Sequence, residues 1–181
     1  MVKGKHIVLG VTASIAIYKA CEIIRRLQDA GNSVTVVETH EATELIRPIV
    51  FQSLSGNKVY QDLFEEAEAW GIEHISLAEK ANLVLVAPAT ANIIGKVASG
   101  ICDDLLTCVI CATKAPVLLC PAMNENMYNN KIVQDNIKKL KSLKYRFVEP
   151  RKGRLACGKA GIGCLAEVDL IVKEVKKIMA R

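Results

Sequence analysis

Residues 6–39 read HIVLGVTASIAIYKACEIIRRLQDAGNSVTVVET. The run from His6 to Val11 is apolar, short and followed by small residues, as expected of a strand buried on both faces. Over residues 14–30, Ile15, Ile17, Ala20, Ile23, Ile24 and Leu27 recur at helical spacing on one face, and Gly31 supplies the stop. Residues 33–39 return to the strand pattern. A helix of this length between two strands implies a right-handed crossover and parallel pairing.

The same alternation runs outward to the C-terminus. Residues 41–54 predict helix, with Pro48 forcing a break or a fresh start. Residues 55–71 read as less regular and carry the only Trp, Trp70. Strands are predicted over 82–87, 116–120 and 145–148, and helices over 92–98, 103–113, 131–144 and 166–179. A Gly-rich loop precedes the last helix. The chain is therefore expected to form a single domain over residues 1–181, with a three-layer α/β fold, Rossmann-like or flavodoxin-like, around a central parallel sheet. Ligands of such sheets gather at the C-terminal strand ends, so the informative loops are 11–16, 38–42, 87–92 and 120–124.

Half of the residues are apolar but only 4% are aromatic, which suits a Val, Ile, Leu and Ala core. The net charge of +5 comes with no nucleic-acid-binding signature, so neither a nucleic-acid partner nor a membrane is expected. Met1 leads through two lysines straight into the first strand, leaving no hydrophobic leader, and no apolar run approaches membrane-spanning length. The seven cysteines are odd in number and mostly embedded in apolar segments; they read as reduced thiols in a cytoplasmic protein. Cys108 and Cys111 form a C-x-x-C with no second pair to complete a metal site, and are read as core; no metal is expected.

Three short stretches carry chemistry. His74 in E-H-I-S-L offers a base near neutrality, Asn124 in P-A-M-N a neutral amide donor, and Cys157 in L-A-C-G-K-A-G-I-G a proton donor. Together they suit acid/base work on a small carboxylic acid. The first strand–helix loop lacks G-x-G-x-x-G; instead Ala13 and Ser14 open a helix whose free N–H groups favour one phosphate, pointing to a mononucleotide, with the Thr39 hydroxyl one loop away. Ser14 and Asn124 also read as helix N-caps, Thr39 as a strand end, and His74 as the cap of a turn. Glu38 would hold a ribose in a nicotinamide oxidoreductase, which the missing glycine triplet opposes. The basic stretch of Lys138, Lys139, Lys141, Arg151, Lys152, Arg154 and Lys159 reads as a solvated face whose latter part can meet a substrate phosphate.

In combination, GVTASIAIYK (10–19), HISL (74–77), APATANIIGKVASGICDDLLT (87–107), PAMNENM (121–127) and LACGKAGIG (155–163) resemble the homo-oligomeric flavin-containing cysteine decarboxylases over essentially the whole chain. The resemblance implies FMN as cofactor, its phosphate near Ala13, Ser14 and Ile15 with Thr39, and its ring near Pro88, Ala89, Thr90, Ala91, Asn92 and Ala122. It implies phosphopantothenoylcysteine as substrate, on the route to coenzyme A, and a homo-oligomer built from trimers with FMN at subunit contacts. It assigns catalysis to His74, Asn124 and Cys157. The chemistry it implies is redox-neutral, because direct loss of CO2 would leave a carbanion without an electron sink. Oxidation at the thiol-bearing carbon creates a C=S group that accepts the electron pair. Cys164 stands where many relatives carry Arg, and many relatives continue into a ligase domain, so a stand-alone enzyme or a fragment is expected. A non-enzymatic relative that regulates a phosphatase shares His74 and FMN, and a flavin prenyltransferase shares the broad architecture.

Overall fold

The computed structural model describes residues 4–63, 73–156 and 158–180. Six strands form one parallel sheet: β1 (His6–Val11), β2 (Ser33–Glu38), β3 (Val59–Tyr60), β4 (Leu83–Ala89), β5 (Val117–Pro121) and β6 (Arg146–Phe147). Their order is β3-β2-β1-β4-β5-β6, with His6 to Val11 paired residue by residue to Ser33 to Glu38. This is the three-layer α/β flavodoxin-like architecture.

Strand alternation sends side chains into two separate cores. Ile7, Leu9 and Val11 of β1 meet α1 (Lys19–Asp29), α3 (Pro48–Ser55) and α9 (Val168–Met179) on one face. Val8 and, from β4, Val84 and Val86 meet α4 (Glu73–Lys80), α5 (Ala91–Ser99), α6 (Leu105–Ala112) and α8 (Lys131–Ser142) on the other. In α1 the buried residues are Ala20, Ile23, Ile24 and Leu27, the i, i+3, i+4, i+7 stripe that a helix needs to cover a sheet. Such a stripe contributes roughly 1.5–3 kcal/mol for each large side chain withdrawn from water.

Several local predictions need correction. The segment ahead of α1 is a separate 3-10 turn, Ile15–Tyr18, and Ile15 is exposed rather than part of the buried face. The helical stretch before residue 55 splits into α2 (His40–Thr43) and α3, with Pro48 at the first turn of α3, where its missing N–H costs nothing. The edge strand β3, helix α4 and the short α7 (Glu125–Asn129) did not stand out as hydrophobic patterns. The Gly-rich loop is an antiparallel hairpin of β7 (Arg151–Arg154) and β8 (Ala160–Cys164). Cys108 is only half-buried and Cys111 is exposed, so neither is a core residue. Trp70 lies outside the described residues. No helix among the described residues is long and apolar enough to cross a membrane.

Glu38 closes β2 on the same side of the strand as Val34 and Val36, fully buried, and neither carboxylate oxygen has a hydrogen-bond partner among the described residues. Burial pushes its carboxyl up to about 7. A group whose pKa is raised on folding contributes stability that is complete below its unfolded pKa and is lost as the pH climbs through the folded value. Conformational stability should therefore fall between about pH 5 and pH 8, by roughly 3 kcal/mol from this group. Glu38→Met should remove that component and raise the melting temperature at pH 8. Denaturant titrations of both proteins at the two pH values measure it, and an identical pH dependence in wild type and variant would contradict the assignment.

Candidate active site

The strand order reverses direction between β1 and β4, so the loops that follow these two strands part and leave a crevice at their C-terminal ends. Thr12 bridges it. Its buried hydroxyl donates to the Pro88 carbonyl at 2.9 Å and accepts the Thr90 N–H at 3.1 Å. The Ala87–Pro88 peptide bond is cis. The next loop is tied to this pair, because the Ala122 N–H donates to the Ala89 carbonyl at 3.0 Å.

Two neighbouring cavities open on this edge. The larger, about 420 Å³, is lined by Ala13, Ser14, Ile15, Thr90, Ala91, Ala122 and Asn124, with Tyr18, Met123 and Met127 beside them. The smaller, about 290 Å³, shares Ala13, Thr90, Ala91 and Met127 and adds Thr12, Thr39, Asn92 and Asp104. Ser14 caps the turn that follows it, accepting the Ala16 N–H at 3.4 Å. The Ser14 N–H donates to the Thr12 carbonyl at 2.8 Å, which holds the start of this turn against the end of β1 beside the cavity. Thr39 stands at the N-terminus of α2 and makes no side-chain cap there. Thr90 caps α5, accepting the Ile93 N–H at 3.4 Å. Pro88 and Ala89 line neither cavity; their carbonyls join the three loops.

Asn124 caps α7, its side-chain oxygen accepting the Asn126 N–H at 2.9 Å. That contact fixes the amide on the cavity wall. The β7–β8 hairpin closes the opposite wall with Arg151, Arg154, Leu155, Ala156, Gly163, Cys164 and Leu165. Two hydrogen bonds dock it onto the 121–125 segment: Met123 N–H to the Gly163 carbonyl at 3.0 Å, and Ile162 N–H to Glu125 Oε1 at 3.1 Å. Only glycine permits this approach. A Cβ on Gly161 would lie 2.5 Å from Glu125 Oε2, and one on Gly163, whose φ is +137°, would fall on the Met123 carbonyl oxygen.

Beside the smaller cavity, Lys96 pairs with Asp103 at 2.7 Å and Asp104 at 2.9 Å. Burial favours the neutral amine, but the two carboxylates outweigh it and raise the ammonium to about 12. Burial and its thiol neighbours push Cys102 up to about 11, so that thiol is a poor nucleophile at neutral pH.

The structure gathers the phosphate-loop residues and Asn124 around one cavity. It does not bring His74 there: His74 begins α4, a helix packed against α6, and does not line that wall. Cys157 lies outside the described residues; its chain neighbour Ala156 lines the cavity. Glu38, the ribose candidate, is buried away from both cavities. Sequence reasoning missed Thr12, whose role depends on two strands distant in sequence, and Tyr18 and Lys19, which resemble any exposed helix residues.

Comparison with known proteins follows the same lines. Over 180 residues the chain is 45% identical to the coenzyme A biosynthesis bifunctional protein CoaBC of Bacillus subtilis, covering 99% of this chain and 44% of that protein. It therefore spans less than half the length of such bifunctional relatives. It is 40% identical over 175 residues to the probable phosphopantothenoylcysteine decarboxylase of Streptococcus mutans, covering 96% of this chain and 98% of that one. Among solved structures, a cysteine-to-serine variant of PPC decarboxylase complexed with pantothenoylaminoethenethiol superposes with a TM-score of 0.87 at 27% identity, covering 98% and 100% of the two chains. The FMN-dependent cysteine decarboxylase SpaF follows at 0.85 and 26%, covering 98% and 99%. With the Flavoprotein family matched over residues 1–180, the chain belongs to that family.

Proposed function

We propose that this chain is an FMN-dependent decarboxylase that converts phosphopantothenoylcysteine to 4'-phosphopantetheine and CO2 in coenzyme A biosynthesis. The observation that carries the reading is one cavity at the switch point of the sheet whose wall combines a single-phosphate loop, Ala13 to Ile15, with the neutral donor Asn124 and a docked hairpin. The residues suit FMN. The small side chains of Ala13 and Ala91 leave room for a flat ring system, and Ser14, Thr39 and Thr90 surround the two joined cavities with hydroxyl groups for a phosphate and a ribityl chain.

FMN, when bound, supplies reversible removal of a hydride equivalent from the thiol-bearing carbon, which makes that carbon an acceptor for the electron pair left by CO2. The protein's own residues bind, orient and move protons. Asn124 donates its amide to the substrate carboxylate without a full positive charge that would hold the carboxylate back in the ground state. His74 takes the substrate thiol proton. After CO2 departs, Cys157 returns a proton to the former carboxyl-bearing carbon, a task suited to a thiol near neutral pH. The six described cysteines are free thiols, as a reducing cytoplasm would keep them.

Assembly follows from what a single copy leaves undone. Ile15, Tyr18 and Met127 are 65%, 62% and 48% exposed at the rim of the cavity, an apolar surface that a neighbouring protomer would cover. His74 is remote from the wall that carries Asn124, so we assign it to the cavity of an adjacent protomer in a homo-oligomer built from trimers. The ligase that forms the substrate is a separate protein or the remainder of a longer chain.

Three outcomes test this reading. Protein purified with FMN and then denatured should release FMN and neither FAD nor NAD, in about one equivalent per chain; a preparation that stays colourless after incubation with excess FMN argues against the site. His74→Asn and Asn124→Asp proteins should each be inactive, yet subunits mixed one to one and reassembled should recover about a quarter of wild-type CO2 release, because a quarter of the shared sites then hold both intact groups. Absence of any recovery, with mixed oligomers verified by mass, would place His74 and Asn124 in the same protomer's site or remove His74 from catalysis. Cys157→Ser should still release CO2 in a single turnover but accumulate the enethiol product; normal phosphopantetheine formation at the wild-type rate would rule out Cys157 as proton donor.

A further inference from the structure

We propose that Arg154 forms an anion subsite at the mouth of the larger cavity and binds the phosphate monoester of the substrate. The decarboxylase reading above supplies the substrate; the subsite itself is argued from charge and geometry.

The larger cavity is walled by three cations, Lys19, Arg151 and Arg154, and by no carboxylate among the described residues. Glu167, just outside the wall, answers two of them: it lies 2.7 Å from Arg151 Nε and 3.8 Å from Lys19 Nζ. No carboxylate among the described residues pairs with the Arg154 guanidinium. Much of the surrounding wall, including Tyr18, Met127, Leu155 and Leu165, is apolar, so the exposed Arg154 guanidinium is the unmatched charge that an anionic ligand meets at the opening.

The hairpin aims this charge deliberately. Residues 151 and 154 differ by an odd number, and on a regular strand they would face opposite sides. The pairing shifts at this point, Arg151 opposite Cys164 and Lys152 opposite Ile162, so Gly163 of β8 is left over as a bulge beside the site, and both arginines line the cavity. The backbone at 154 is held in place, since it pairs with Ala160 and its carbonyl accepts the Cys164 thiol at 3.5 Å. A guanidinium fork on an anchored strand matches phosphate oxygens two at a time.

The substrate carries two anions, and their chemistry divides them between the donors. A full cation on the reacting carboxylate would stabilise the ground state that must lose CO2, a position better served by the neutral Asn124. The phosphate keeps its charge throughout, so a cation there holds the substrate without opposing the reaction.

The test uses the FMN-loaded protein titrated calorimetrically with 4'-phosphopantothenate and with pantothenate, which lack the reacting cysteine. Wild type should prefer the phosphorylated ligand, and Arg154→Gln should lose about tenfold or more of that preference, as expected for one charge-assisted pair. Arg154→Lys should retain part of it. Pantothenate affinity and FMN affinity should not change. An unchanged preference in Arg154→Gln, or no preference in wild type, would overturn the subsite. An equal loss for both ligands would assign Arg154 to shaping the hairpin, and weakened FMN would assign it to the cofactor phosphate; either result overturns it. CO2 release from phosphopantothenoylcysteine by wild type tests the decarboxylase reading separately, because a protein that prefers the phosphorylated ligand but releases no CO2 keeps the subsite and loses the activity.

Discussion

The Thr12 hydroxyl, which follows β1 and both donates to the Pro88 carbonyl and accepts the Thr90 N–H at the end of β4, ties the two parted loops together and is the constraint on which the rest of the site depends. A parallel sheet whose order reverses between β1 and β4 leaves loops that diverge, with unpaired backbone groups at its centre. One buried threonine satisfies a carbonyl and an N–H together and sets the spacing of the loops. The β5 loop then adds its own bond, from Ala122 to Ala89, and carries Asn124 to the same wall. The loops after β1, β4 and β5 are thus held together by the short Thr12 side chain and by backbone contacts rather than by long side chains, the rigidity that a positioned reaction requires.

The hairpin completes the cavity by a different principle. It has no part in the main sheet and rests on the 121–125 segment through one backbone hydrogen bond and one to the Glu125 carboxylate, an approach open only because Gly161 and Gly163 lack side chains. Close backbone docking lets a short element place Leu155, Ala156 and two arginines over the cavity without a hydrophobic core of its own.

Charge around the site is arranged by burial. Lys96 spends its ammonium on Asp103 and on Asp104, which also opens α6 as N-cap of a capping box with Thr107, and the pairing keeps those carboxylates from opposing an anionic ligand. Glu38 is the opposite case: a carboxyl with no partner in the core at the end of β2, held neutral at the expense of pH-dependent stability.

The long periodic elements were legible in the amino-acid order. Buried strands such as His6–Val11 and the stripe of Ala20, Ile23, Ile24 and Leu27 announce themselves because each must satisfy the same burial pattern along its length, and that pattern implies the parallel three-layer fold. Gly31, Pro48 and the caps at Ser14 and Asn124 were equally local signals. The two-residue β3 and the hairpin were not, because the first is too short for a period and the second is held by glycines and by a partner about forty residues away. The sequence by itself determined the fold class and pointed to Ala13, Ser14 and Asn124 as candidate ligand-facing residues. Only the tertiary structure decided that Ala13, Thr90 and Asn124 share one wall, that His74 does not, and that both Arg151 and Arg154 face the cavity, since each depends on how strands distant in sequence meet at one edge of a sheet.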